Sequence, residues 1–256
     1  LSIFINDKIT RRGIAKGLVF VQEDLNKNIL TAEKKTMETL LSNDLHEQYM
    51  CLLQAKKIIK IEVWTDIMCP YCYIGKLHYE KALEQFEHKD KIELEWKAFL
   101  LNPDLPGNGK GMPVMDYLHN IVGVSEEDTK KMNEQIAELA KENGIKSNLE
   151  NAVAANTLDA HRLIKLAATK GLDSKVMQLL SKAYFEEAKD YSDHKVLTEI
   201  GTTVGLDQKE IEELLYSDDY AYEVKQDIQE ANYVGFDTGP TFRFNRKHAL
   251  VGSQPV

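Results

Sequence analysis

Two of the three cysteines in this 256-residue chain stand three apart, in Cys69-Pro70-Tyr71-Cys72, where the apolar run IEVWTDIM gives way to YIGKLHYEKALEQF. That junction restricts the fold more than any other feature. Ile59, Ile61 and Val63 share one face of a β-rich segment over 58–66, which predicts a buried strand. Behind the cysteines, Leu77, Ala82, Leu83 and Phe86 recur at helical spacing. Ile92, Leu94, Trp96 and Ala98 then alternate with Lys91, Glu93, Glu95 and Lys97, and a period of two predicts a second strand. Strand, helix, strand with short links is a βαβ unit, with parallel strands and a right-handed crossover. Trp64 and Trp96 read as core, one on each strand.

The turn-rich stretch NPDLPGNGKGMP at 102–113 ends this pattern, and helical periodicity follows. Ser125 with Asp128 caps a helix carrying Met132, Ile136, Leu139 and Ala140, closed by Gly144. Asn156, followed by Asp159, reads as a second cap, and Ser174 as the start of a helix bearing Val176, Leu179, Leu180, Ala183 and Tyr184. Asp207 with Glu210 caps another, with Ile211, Leu214 and Leu215, and Ala221, Val224, Ile228 and Ala231 mark the last. The segment GPTFRFN then sets Thr241 and Arg243 opposite Phe242 and Phe244, with HALVGS as its hairpin partner. The expected organisation is an α/β domain in two pieces, 58–105 and 236–256, an all-helical insertion at 106–235, and an extension at 1–57 of unknown fold. In that extension GLVFVQ reads as a strand and Thr31–Lys57 as a charged helical stretch.

With 43% hydrophobic residues the chain can bury a real core. Acidic residues outnumber basic ones 41 to 32, and the basic ones are interspersed, so nucleic-acid partners are not expected. No apolar run approaches the ~20 residues of a membrane-spanning helix, so no membrane partner is expected either. The first residue is Leu1, and LSIFINDKITRRGIAKG shows no apolar core behind a basic start. An odd count of three cysteines suits a reducing compartment, so a cytoplasmic location is expected.

A thiol becomes a good nucleophile only when ionised. Cys69 falls at the start of a helix, where unpaired N–H groups and the macrodipole favour an anion, so Cys69 is expected as a thiolate at neutral pH. Pro70 suits the first helical turn, where an N–H has no helical partner. Cys72 lies one turn on and can close a ring onto Cys69. The roles that follow are attack on a disulfide by Cys69 and resolution of the mixed disulfide by Cys72, with Tyr71 helping to set the redox potential. The plainer reading is two buried cysteines that happen to lie one turn apart. A zinc site would need more ligands; the nearest are His78 and Cys51, and without a second C-x-x-C no metal is expected. Cys51 itself reads as an inert thiol or a site of intermolecular disulfides. Asp66 reads first as the residue that ends the strand and caps the turn, and second as a carboxylate that helps move the Cys72 proton.

The stretches EVWTDIMCPYCYIGK, LNPDLP, NTLDAHRL at 156–163, AYFEEAKDYSD at 183–193 and GPTF at 239–242 resemble, in this order, the thioredoxin-fold DsbA-like oxidoreductases, in particular the FrnE-like branch related to 2-hydroxychromene-2-carboxylate isomerases. The resemblance implies a thioredoxin fold with a large inserted all-helical domain. It also implies that Pro240 is a cis-proline facing the cysteines and that Pro70, Tyr71, Gly239 and Pro240 meet the substrate. His161 would line the same groove, although its helix favours the plainer reading of a partly buried structural histidine over that one. Family members commonly carry a β-branched residue where Gly239 stands, some have a second cysteine pair near the C-terminus, and most continue into a final helix beyond VGSQPV.

The activity implied is thiol–disulfide exchange on protein or small-molecule disulfides, with an unidentified recycling reductant, no bound cofactor, and glutathione as a candidate co-substrate. A dithiol in a cytosol poised near ~-220 to -320 mV rests reduced, which favours reductase or isomerase work. Two other classes stay open: a glutathione-dependent isomerase, whose members generally use serine at the position of Cys69, and a metal-bridged adaptor. A homodimer is compatible with either enzyme reading.

Overall fold

The computed structural model describes residues 58–256. The predicted strand GLVFVQ, the helical stretch Thr31–Lys57 and Cys51 lie outside the described residues. Strand β1 (Ile59–Thr65) runs into helix α1 (Pro70–Gln85), and a short 3-10 turn at Lys89–Lys91 leads to β2 (Ile92–Ala98). β1 and β2 pair in parallel from Ile59 opposite Ile92 to Thr65 opposite Ala98, as the alternation predicts. Cys69 caps α1 with an extended backbone, and Pro70 takes the first helical position, where its missing N–H costs nothing.

Past the turn-rich loop, β3 (Met112–Pro113) pairs antiparallel with β4 (Val153–Ala154). Between them lie a helical turn at Val114–Asp116, a π-helical segment at Tyr117–Val122 and helix α2 (Glu126–Glu142). Ser125 caps α2 by accepting from the Asp128 N–H. Helices α3 (Leu158–Ala168), α4 (Asp173–Phe185), α5 (His194–Val204), α6 (Gln208–Leu215) and α7 (Ala221–Val234) follow. Asp207 caps α6 through the Lys209 and Glu210 N–H groups. Two predicted caps are displaced. α4 is headed by Leu172, and the Ser174 hydroxyl instead accepts from Trp96 Nε1 at 3.0 Å. α3 is headed by Thr157, while Asn156 bonds the Leu158 N–H at 2.8 Å from one residue further back.

The chain returns to the sheet with β5 (Thr241–Phe244) and β6 (His248–Val251), giving the order β2-β1-β5-β6. β5 is antiparallel to β1, with Val63 opposite Phe242. Asn245, in the hairpin turn, accepts from the Lys60 N–H and donates its own N–H to the Lys60 carbonyl, both at 2.8 Å. One sheet face carries Ile59, Ile61, Val63, Phe242 and Phe244 into a core that continues without a break through Leu163, Leu180, Tyr184, Leu197 and Ile211 of the helices. The helical block therefore shares its interior with the sheet.

The opposite sheet face is covered by α7. Trp64 packs there with Ala231, Phe236 and Ala249 and donates Nε1–H to the Asp227 carbonyl at 2.9 Å. Beside it, the fully buried Glu62 pairs with Arg243 at 2.7 Å and Arg246 at 3.1 Å, and the Arg243 guanidinium lies 4.6 Å above the Trp64 ring. The Asp227 carboxylate pairs with Lys97 at 3.0 Å and Lys165 at 2.5 Å and accepts from the Ala98 N–H at 2.9 Å. These charges hold the last helix to the central strands. Among the described residues no helix is long and apolar enough to cross a membrane.

Candidate active site

The end of β1, the first turn of α1 and the loop before β5 meet at the two cysteines. Both are unbridged thiols and both are buried, Cys69 6% and Cys72 4% exposed. Cys69 faces the β5 loop: its Sγ–H points at the Gly239 carbonyl, 3.7 Å away. Cys72 lies on the strand side and accepts from the Asp66 N–H at 3.5 Å. Burial pushes the Cys72 thiol well up, and hydrogen bonding to and charge on Cys69 add to this. The Thr65 hydroxyl and the Asp66 amide act in the opposite direction.

The Gly239–Pro240 peptide bond is cis. Two glycines allow the approach of this loop to the helix. A Cβ on Gly75, in α1, would lie 2.7 Å from Pro240 Cγ, and a Cβ on Gly239 would lie 3.0 Å from Cys72 Sγ. The Pro240 carbonyl is taken by the Gly252 N–H at 2.8 Å, which ties the loop to the end of β6. Pro70 and Tyr71, between the two cysteines, are half-buried.

Asp66 performs the capping role read from its position. Its carboxylate accepts from the Met68 N–H at 3.3 Å and the Leu101 N–H at 2.6 Å, and so fixes both the turn into Cys69 and the start of the 101–111 loop. His161, on α3, is 2% exposed, more deeply buried than its helix pattern predicts, with Nε2 3.8 Å from Asp66 Oδ1. Sequence reasoning passed over Thr65 and treated Tyr184 only as a member of an apolar stripe. The Tyr184 hydroxyl is buried near Asp66 and Cys69, and burial followed by those two negative charges drives it far above the ordinary phenol range. Nothing in the spacing of either residue carries that signal. His78 Nδ1 is engaged with the Gln254 carbonyl at 2.7 Å, and among the described residues no group of three His, Cys, Asp or Glu side chains is arranged to hold a metal ion.

A family model described as a DSBA-like thioredoxin domain matches residues 60–256. The chain belongs to this family. The sheet, the cysteine pair at the head of α1 and the loop at Pro240 are thus a DsbA-like thioredoxin fold. The chain is similar to a probable DsbA oxidoreductase from Streptomyces coelicolor, with a TM-score of 0.72 and 30% identity, over 77% of this chain and 85% of that one. It is also 25% identical to the uncharacterized protein YwbO of Bacillus subtilis, over 70% of this chain and 85% of that protein. A 2-hydroxychromene-2-carboxylate isomerase shares the fold at a TM-score of 0.58 and 11% identity, over 76% of this chain and 89% of that one.

Proposed function

We propose that the protein is a thiol–disulfide oxidoreductase in which Cys69 attacks a substrate disulfide and Cys72 resolves the mixed disulfide. The observation that carries this reading is the placement of Cys69 at the head of α1 opposite the Gly239 carbonyl, with Cys72 buried one turn behind it. The first-turn N–H groups of a helix favour an anionic sulfur, and a neighbouring thiol can then displace the bound substrate. Pro70, Tyr71, Gly239 and Pro240 line the approach to Cys69 and contact the substrate, whose extended backbone runs along the Pro240 loop. The thiol of Cys69, in place of the serine typical of the chromene-carboxylate isomerases, favours exchange over isomerisation.

The substrates are protein or small-molecule disulfides, glutathione serves as a co-substrate or recycling thiol, and no bound cofactor or metal takes part. The low, odd cysteine count supports work in the cytoplasm, in the reducing direction or as an isomerase. On this reading the protein is a FrnE-like member of its family. The test is to express Cys72→Ser in cells and isolate mixed disulfides by non-reducing electrophoresis. Adducts joined through Cys69, absent from a Cys69→Ser/Cys72→Ser double variant, are expected. Recovery of no adduct through Cys69 overturns the reading.

A further inference from the structure

A cavity of about 620 Å³ is walled by the helical turn at Val114–Asp116, the π-helical segment, α2 and the turn at Leu149–Asn151, and none of its lining residues belongs to the cysteine site. Small-molecule sites usually enclose about 300–1,000 Å³. Thr129, which lines it, is 7% exposed, and its hydroxyl has no hydrogen-bond partner. The side-chain oxygen of Asn133, on the same wall, is buried with no partner either. The orientation of that amide is set by Met115: its nitrogen lies 3.6 Å from the Met115 sulfur, and a thioether can only accept. Buried polar atoms are nearly always paired, because an unpaired one forfeits its hydration. Two acceptors without partners in one cavity therefore point to a ligand that donates.

The charge around these acceptors decides what kind of donor it is. Asp116, Glu126, Glu134 and Glu150 bring four carboxylates to the wall and Lys130 one ammonium, which leaves three negative charges in excess among the described residues. His119 Nε2 stands 3.6 Å from Glu126, and its Nδ1 is engaged with the Val124 carbonyl at 2.8 Å. Among the described residues no side chain pairs with the carboxylates of Asp116, Glu134 or Glu150. No three His, Cys, Asp or Glu side chains among the described residues are arranged to hold a metal ion, so the charge suits an extended organic cation better than a bare one. Met115 and Ala137 add apolar surface for the carbon chain of such a cation. One wall, Tyr117–Val122, is π-helical, a form that is rare and concentrated at functional sites.

We propose that this cavity binds a linear organic polycation, ammonium groups joined by methylene chains, which is the chemistry of a polyamine. One ammonium donates to the Thr129 hydroxyl and the Asn133 oxygen, both now partnered. The methylenes lie over Met115 and Ala137, and a second ammonium meets the exposed carboxylates of Glu134 and Glu150. A lysine side chain of a protein presents one ammonium on a similar stem, but it leaves the outer carboxylates without a cation. The proposal is independent of the exchange reading, since no residue of the cysteine site takes part.

The test is calorimetric titration of the full-length protein with spermidine, with ionic strength held constant by sodium chloride, beside a titration with N-acetyl-lysine amide. Spermidine should bind saturably at one site, and the lysine amide about tenfold more weakly or not at all. Thr129→Val, which keeps the shape and removes the hydroxyl, should weaken spermidine about tenfold, the scale of one hydrogen bond to a charged group. Glu134→Gln/Glu150→Gln changes only exposed side chains and decides the matter if Thr129→Val does not fold. It should weaken spermidine about threefold, as the loss of exposed ion pairs does. No saturable heat with spermidine, or an affinity unchanged in the glutamine variant, overturns the proposal. Equal or tighter binding of the lysine amide overturns it in favour of a protein side chain as the occupant.

Discussion

Gly239 stands so close to Cys72 that a Cβ added to it would lie 3.0 Å from the cysteine Sγ. Its other neighbours at that point, the Trp64 carbonyl at 3.5 Å and the Thr65 Cα at 3.7 Å, belong to the central strand and cannot easily give way. Gly239→Val should therefore displace the resolving sulfur. A misplacement of about 1 Å at reacting atoms costs on the order of a hundredfold. The expected result is a disulfide turnover ten- to hundredfold lower with the fold retained, measured by reduction kinetics alongside circular dichroism.

Gly75 makes the second close approach. In Gly75→Ala the new methyl would meet Pro240 Cγ at 2.7 Å, so either the helix or the loop must shift. Overpacking of this kind costs about 1–3 kcal/mol. A thermal melt should show a lowered midpoint, and cysteine reactivity should change with it, because the displaced loop is the one that carries the Gly239 carbonyl.

Asp227 neutralises two ammonium groups that are almost buried, Lys97 and Lys165, and also caps the Ala98 N–H. Removal of one partner from a buried ion pair leaves the remaining charge uncompensated and costs about 3–5 kcal/mol. Asp227→Ala should lose stability on this scale in urea unfolding. A Lys97→Met/Lys165→Met/Asp227→Leu triple variant, which removes both ammonium groups together with the carboxylate, should recover part of the loss.

Acid should weaken the same face of the sheet. Burial tends to raise the Glu95 carboxyl, but hydrogen bonds and charge from Lys60 and Lys97 outweigh this and hold it at about 2, below the ordinary 4.5. A carboxylate depressed in the folded state contributes stability that is fully present above its unfolded value and is lost as pH falls from about 4.5 towards about 2. Glu230 is lowered as well: Arg243, Lys97 and Arg246 outweigh its burial. With Glu95 one third exposed, solvent screening reduces its share to about 1 kcal/mol. Urea midpoints should drop between about pH 5 and about pH 2, and Glu95→Gln should flatten that drop.

The parts of this molecule that were readable in advance are those set by local periodicity. The period of two at 92–98, the apolar face of 58–66 and the Phe242/Phe244 alternation led directly to β2, β1 and β5. Caps were readable where a side chain had no better partner, as at Ser125 and Asp207, and misplaced where one existed. The Ser174 hydroxyl is claimed by Trp96, which is 78 residues away in the chain. The burial of Glu62 and Lys97 could not be read either, because the groups that cover them, Arg243 and Asp227, come 181 and 130 positions later. At the site, the cysteine pair was plain from spacing alone, and Pro240 came from the family resemblance. Thr65, Tyr184 and the depth of His161 were not legible, since their importance lies in which atoms they approach and not in any spacing of their own.

The most direct test of the central claim is reduction of insulin disulfides by the full-length protein with a small-thiol reductant, compared with Cys69→Ser. Turnover that is clear in the parent and abolished in Cys69→Ser is the predicted result. Turnover that survives the loss of the Cys69 sulfur contradicts the account.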